Sequence, residues 1–287
     1  MSAVVRALPR AIGESRLVLQ RRDQQTALKT LYQQGCAKIR FPHNEAHHAH
    51  ESVLINTAGG LTDGDCLSHE IEWQAGAHAI VTTQAAERVY RSRADDARVD
   101  TRLRVGPDAR AVWLPQETIM FDGGRLTRRL DVDLQPGASF FAAESVVFGR
   151  TAMGECVHSG GLDDVWHICR NERPLFVEHF RADDRLHGDL AKWRAQPVTL
   201  AGGVAMLTAV LICDGHEQYL NAVLDALKER ALSAGASNLG AALLVRAVSD
   251  DASALRDALQ QIFFAIQSVD AANNPLHSVA MPRAYFC

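Results

Sequence analysis

Apolar and polar residues alternate along three stretches in the first two-thirds of the chain. Leu67, His69, Ile71 and Trp73 are interleaved with Ser68, Glu70 and Glu72. Val99, Thr101, Leu103 and Val105 are interleaved with Arg98, Asp100, Arg102 and Arg104, and Leu130, Val132 and Leu134 with Asp131 and Asp133. A period of two marks a strand with one face on a core. Each stretch runs into a short turn and then a more apolar strand. Ala75-Gly76-Ala77 precedes Ala79-Ile80-Val81, Pro107-Asp108-Ala109 precedes Ala111-Val112-Trp113-Leu114, and Pro136-Gly137-Ala138 precedes Phe140-Phe141-Ala142. The turn thus recurs at Gly76, Asp108 and Gly137, a period of about 30 residues, which predicts stacked β-layers, none able to bury its apolar face alone. Consecutive hairpins in a sandwich are the plainer alternative.

The last third changes period. Leu220, Val223, Leu224 and Leu227 keep helical spacing, as do Leu255, Ala258, Leu259, Ile262, Phe263 and Ile266, with Asp251 or Ser253 to cap the second run. Helices are expected near residues 216–230 and 252–268, with the apolar run from Ala241 to Val248 between them as a buried strand. The tail after Ala271, carrying Asn273-Asn274-Pro275, predicts irregular chain. The expected fold is mainly β: an antiparallel, β-helix-like stack of strands with a few helices, mostly in the C-terminal third. It forms one domain over residues 1–287, with a β-body over about 14–210 and a mixed helix and strand part over about 211–287.

Composition narrows the function. With 287 residues, 47% of them hydrophobic, the chain can bury a large core. Its net charge of −4 is spread out, and no basic stripe suggests nucleic acid. No run of ~18 apolar residues suits a membrane span, and Met1 to Arg10 lacks the apolar centre of a signal peptide. The six cysteines lie far apart without a CxxC pair, as expected for reduced thiols in a cytoplasmic protein.

Candidate chemistry is carboxylate and imidazole. Gly59-Gly60-Leu61-Thr62-Asp63-Gly64-Asp65 is not a phosphate loop, because no Gly-Lys-Ser/Thr follows. It is not an EF-hand, because the twelfth position from Asp63 is Gln74, where calcium needs a bidentate Glu. In extended chain Asp63 and Asp65 share a face and could hold a divalent cation; a solvated acidic turn is the simpler reading. His43, His47, His48 and His50 cluster before the strand at Val53, and His48 and His50 point the same way if extended, as a nickel, copper or zinc pair would. Glu144 takes a post-strand position after Phe140-Phe141. Glu178 interrupts Leu175-Phe176-Val177 and Phe180, where a lone charge is costly unless paired, hydrated or metal-bound. No Gly-x-Ser-x-Gly elbow or HExxH is present.

Several blocks resemble the UreD (UreH) family of urease accessory proteins. They are Leu54-Ile55-Asn56-Thr57-Ala58-Gly59-Gly60-Leu61-Thr62-x-Gly64-Asp65, Thr82 to Arg91, and Trp113-Leu114-Pro115-Gln116-Glu117-Thr118-Ile119-x-Phe121. Gly149-Arg150-x-x-Met153-Gly154-Glu155, Glu178-x-Phe180-Arg181, Ala234 to Ser237 and Leu244-Val245-Arg246 extend the likeness over most of the chain. The Trp113 to Phe121 block is the most specific. Where the family often has a Pro-Arg-Ile-Trp type of C-terminal sequence, this chain has Pro282-Arg283-Ala284-Tyr285, and its histidine-rich stretch lies outside the family pattern.

The resemblance implies a non-enzymatic scaffold that binds apo-urease, UreF and, through UreF, the GTPase UreG, and that helps insert nickel. No cofactor is held tightly; nickel(II) is cargo in transit, with Asp63, Asp65, Glu144, Glu178, His48 and His50 as its candidate ligands. Oxygen and imidazole donors suit release better than a thiolate cluster. The alternatives are a β-helix carbohydrate-active enzyme using paired carboxylates such as Asp63 and Asp65, and a structural β-solenoid that binds no metal.

Overall fold

The structure, a computed structural model, describes residues 10–42, 49–150, 153–228, 232–269 and 274–286. The chain opens with β1 (Ile12–Arg22), β2 (Gln25–Gly35) and β3 (Ala37–Arg40). It continues through β4 (His50–Asn56), β5 (Cys66–Trp73), β6 (His78–Thr83), β7 (Glu87–Val89), β8 (Ala97–Val105), β9 (Arg110–Leu114), β10 (Thr118–Met120), β11 (Arg125–Leu134) and β12 (Ser139–Phe148). A hairpin of β13 (Gly161–Arg170) and β14 (Arg173–Asp183) leads into the short helices α1 (Asp184–His187) and α2 (Leu190–Arg194). Then come β15 (Ala205–Ile212), α3 (Leu220–Leu227), β16 (Ser233–Asn238), β17 (Leu243–Ser249) and α4 (Ala252–Ser268).

Two sheets face each other. One has the order β14-β13-β11-β8-β5-β1-β2, the other β16-β17-β15-β12-β9-β6-β4-β3. The alternating strands β5, β8 and β11 lie in the first sheet, and the apolar strands that follow them, β6, β9 and β12, lie in the second. Each expected repeat is therefore one coil of a stack. Its turns stack as well: the Gly76 N–H donates to the Pro107 carbonyl (2.9 Å) and the Asp108 N–H to the Pro136 carbonyl (3.2 Å). All three turn residues have positive φ, 66° at Gly76, 55° at Asp108 and 72° at Gly137. Glycine adopts that region without strain and aspartate tolerates it better than most residues.

The antiparallel expectation needs correction. β1/β5, β5/β8, β8/β11 and β11/β13 pair parallel, as do β4/β6, β6/β9 and β9/β12. A chain that crosses to the other sheet after every strand returns one rung further on and pointing the same way. Among the described strands, antiparallel pairing is found at the ends: β1/β2, β3/β4, β13/β14, β12/β15, β15/β17 and β16/β17.

Helices α3 and α4 cover the outer face of the second sheet. Asp251 caps α4, its side chain accepting from the Ser253 N–H at 2.8 Å. The stripe Leu255, Ala258, Leu259, Ile262, Phe263 and Ile266 is buried, with Phe263 edge-on to Phe141 of β12 at 6.4 Å. Leu276, Val279 and Tyr285 of the C-terminal segment join that layer, and the Tyr285 hydroxyl donates to the Pro115 carbonyl. Between the sheets lie two further apolar clusters, and what separates them is the candidate site.

Candidate functional site

In a two-sided stack the inward parity of each strand should be apolar. Five central strands break that rule at neighbouring places. Ser15 of β1 pairs in register with His69 of β5, and His69 with Thr101 of β8. On β11 the polar residue is Arg128, two residues before Leu130, which is the partner of Thr101. Arg128 in turn lies beside Asp164 of β13, and Glu178 of β14 sits opposite Trp166, two residues on. From the other sheet Glu144 of β12, Thr208 of β15 and Arg246 of β17 stand abreast.

The result is a polar seam through the body. On one side are Ile71, Leu103, Leu130, Trp166, Phe140 and Val210; on the other are Leu67, Leu126, Leu162, Val146, Phe148 and Met206. Ser15, His69, Thr101, Glu144, Asp164 and Thr208 are all more than nine-tenths buried. Three cavities follow the seam, adjoining ones sharing wall residues. The first, about 160 Å³, opens beside Asn56, Gly60, Glu87 and His69. The second, about 70 Å³, also touches His69 and Glu87 and reaches Gln116, Thr118, Arg128 and Glu144. The third, about 10 Å³ and so the size of a single water, is bounded by Arg128, Glu144, Asp164, Glu178 and Thr208.

Electrostatics along the seam are paired. Arg128 Nε donates to Asp164 Oδ1 (3.0 Å), and its Nη1 lies 2.8 Å from Glu144 Oε2 and donates to Thr118 Oγ1 (3.1 Å). Burial opposes the Arg128 charge, but Asp164 and Glu144 outweigh it and raise its pKa, so it stays a cation. Trp113 Nε1 donates to Glu144 Oε1 at 2.6 Å. Burial raises the Glu144 carboxyl above its usual range, with Arg128 pulling the other way. Burial likewise raises Glu178, opposed by Arg246, whose Nη2 lies 2.7 Å from Glu178 Oε2. At the mouth Glu87 is pushed up to about 7 by burial, opposed by the Asn56 amide, which donates to both carboxylate oxygens at 3.2 Å. His69 is lowered to about 4 by burial and is neutral, its Nδ1 2.7 Å from the Ser15 hydroxyl.

Of the residues expected from sequence, the seam brings together Glu144 and Glu178. Glu144 is not at a corner: β12 runs on to Phe148 and places it mid-strand. Asp63 and Asp65 lie elsewhere, and the extended geometry assumed for them is replaced by a turn, with Asp63 at φ 33°. Asp63 Oδ1 accepts from the N–H groups of Arg93, Ala94 and Asp95, and its Oδ2 is 3.5 Å from Arg10. Those backbone bonds, the Ala94 one foremost, lower its pKa. Asp65 accepts from the N–H groups of Ala11 and Thr62. Both carboxylates tie loops together. His50 sits on β4 against Phe41 and is lowered by burial. It is four residues from the seam-lining Leu54, roughly 13 Å of strand. His43, His47 and His48 lie outside the described residues. Among the described residues no three His, Cys, Asp or Glu side chains converge as a metal-ligand set, and no helix is long and apolar enough to cross a membrane.

His69, Glu87, Arg128, Asp164 and Arg246 were not singled out from the sequence. For His69, Arg128 and Asp164 the signal was parity: Leu67-x-His69-x-Ile71, Leu126-x-Arg128-x-Leu130 and Leu162-x-Asp164-x-Trp166 each carry a polar residue on an otherwise apolar face.

A sequence model of the family described as UreD urease accessory protein matches residues 11–279. A urease accessory protein UreD of Chelativorans sp. (strain BNC1) is 43% identical over 250 residues, 87% of this chain and 87% of that protein. One of Rhizobium leguminosarum bv. trifolii (strain WSM2304) is 41% identical over 259 residues, 90% of this chain and 92% of that protein. The urease accessory protein UreD 1 of Brucella abortus biovar 1 (strain 9-941) is 39% identical over 251 residues, covering 87% and 88%.

Proposed function

This chain belongs to the UreD urease accessory protein family, and from that premise we propose that it serves urease maturation as a non-enzymatic conduit for nickel(II), acting in the cytoplasm in a complex with UreF, with UreG through UreF, and with apo-urease. The ion is cargo, and its route is the seam.

The observation that carries this reading is a continuous row of charged and hydroxyl side chains where the fold could have placed leucine and valine. Burying an ion costs several kcal/mol even after relaxation. A hydrated row of carboxylates offsets that cost and gives a divalent cation successive oxygen donors, none of them a closed cage. Glu87 stands at the mouth, Glu144 and Asp164 midway, and Glu178 at the far end beside Arg246.

The carbohydrate-active alternative loses its chemistry. A glycosidase needs an acid with a free proton and a base with a free lone pair facing one substrate. Asp63 commits an oxygen to three backbone N–H groups and Asp65 commits both of its own to two. The experiment is removal of charge with shape retained: the full chain carrying Glu144→Gln with Glu178→Gln, co-expressed with urease and its accessory proteins. Partner capture should persist while nickel content and urease activity fall at least tenfold. Normal activation would leave the protein an adaptor and end the conduit reading.

A further inference from the structure

We propose that Glu144 and Asp164 form a divalent-cation station inside the body, and that Arg128 is a resident cation which holds this station shut until an incoming ion takes its place. The inference rests on the conduit reading and names its narrowest point.

Three observations place the station there. Arg128 and Glu144 wall both the 70 Å³ and the 10 Å³ cavities, so their ion pair stands where the two adjoin. Its charge sits where a metal ion would, facing one carboxylate from each sheet: Glu144 from β12 and Asp164 from β13. Gln116, itself more than nine-tenths buried, lines the larger cavity with an Nε2 that has no hydrogen-bond partner, a polar group awaiting water or a hydrated ligand.

Charge decides which ion can open the station. Two carboxylates against one guanidinium leave a net charge of −1. A monovalent ion in place of Arg128 leaves the same deficit and gains nothing, whereas a divalent ion makes the site neutral. Donors are ready: Trp113 fixes Glu144 through Oε1 and leaves Oε2 toward the cation. The hydroxyls of Thr118 and Thr208 line the cavities on either side. Two carboxylates completed by hydroxyls and water bind a borderline divalent ion loosely enough to release it. A triad with a purely structural task would need no cavity on either side of its cation.

The test measures nickel(II) and cobalt(II) binding to the purified full-length chain by equilibrium dialysis, with sodium and potassium as competitors. Arg128→Gln should bind nickel at least tenfold more tightly than the parent, resist both monovalent ions, and deliver less nickel to apo-urease because the ion is trapped. The gain should vanish when Glu144→Gln is added. Binding no tighter than the parent overturns the proposal, as does a gain that survives Glu144→Gln. Should Arg128→Gln fail to fold, Arg128→Met keeps the side-chain volume and both carboxylates and should show the same Glu144-dependent gain; no gain there also overturns it. The two readings fail separately. Normal urease activation with Glu144→Gln and Glu178→Gln removes the conduit, whereas a Glu144-dependent nickel gain would leave the station standing.

Discussion

Replacing Glu87 with glutamine should stabilise the protein at about pH 8 and change it little at about pH 5. The carboxyl is half-buried at the mouth of the seam, and desolvation raises its pKa from 4.5 to about 7. In the unfolded chain it ionises near 4.5, so folding binds a proton between those values. Below about 4.5 both states are protonated and nothing is lost. As pH rises through 7 the folded carboxyl must ionise in place, and the stability present at low pH is withdrawn. Each factor of ten in proton affinity is worth about 1.4 kcal/mol, so the full penalty is roughly 3 kcal/mol above pH 7 and under about 1 kcal/mol at pH 5. Glu87 is only half-buried by its surface, and water entering through the cavity screens it, so about 1–3 kcal/mol is the working range.

Glutamine keeps the shape and can still accept the Asn56 amide through Oε1, so the variant loses the ionisation and little else. At about 2 °C per kcal/mol for a chain of this size, its melting point should exceed the parent's by about 2–6 °C at high pH. Thermal unfolding of both proteins across this range, followed by circular dichroism, reads the difference. An equal gain at pH 5 and pH 8, or a variant less stable at pH 8, would refute the assignment of Glu87 as a desolvated carboxyl. Near neutrality half of these carboxyls carry a proton that an entering cation must displace, so nickel uptake by the parent should climb through about pH 7 and flatten in the variant.

Two further substitutions probe the frame around the seam. At Gly137, φ is 72° and an added Cβ would meet Asp108 Oδ1 at 2.0 Å, so Gly137→Ala should lower stability by about 1–3 kcal/mol in urea titration; Asp108→Gly in the same chain should recover part of it. Asp63→Ala deprives the Arg93, Ala94 and Asp95 N–H groups of their shared acceptor, and limited proteolysis should then cut first within residues 92–96, with nickel binding at the seam unchanged.

The stack was legible because its determinants are local. Alternation, a turn every 30 residues or so and the glycine or aspartate at each turn all sit within short windows. The helices at 220–227 and 252–268 declared themselves in the same way. Strand direction did not, since it depends on which sheet each strand joins. The seam was half legible. His69 and Thr101 stood openly in alternating runs yet read as members of an apolar face, and Glu178 drew notice because its neighbours are apolar. That Arg128 meets Asp164 and Glu144 depends on the register of β11 against β13 and on the facing of two sheets, which no local window contains. Asp63 and Asp65 misled for the converse reason. An Asp-Gly-Asp turn suits either a cation or backbone N–H groups, and the donors that decided the matter for Asp63 lie some thirty residues away.

The sharpest separation of scaffold from conduit comes from making the seam greasy. Buried ion triads replaced by apolar residues of similar volume are often neutral or more stable by about 1–4 kcal/mol, because desolvation of the charges exceeds their attraction. Arg128→Met, Asp164→Leu and Glu144→Gln together apply that change, and the glutamine keeps an acceptor for Trp113 Nε1. The Thr118 hydroxyl loses a donor, which costs about 1 kcal/mol. The net expectation runs from about 1 kcal/mol less stable to about 3 kcal/mol more stable. If the charges are there for the ion, this stable protein should still capture its partners and yet leave urease without nickel. A loss of several kcal/mol would mean that the network holds the two sheets together, and activity loss would then say nothing about transport. Full activation by a stable, apolar seam would exclude the route through the body altogether. Only a molecule that gives up stability to keep polar groups, and loses nickel delivery when they go, fits a conduit.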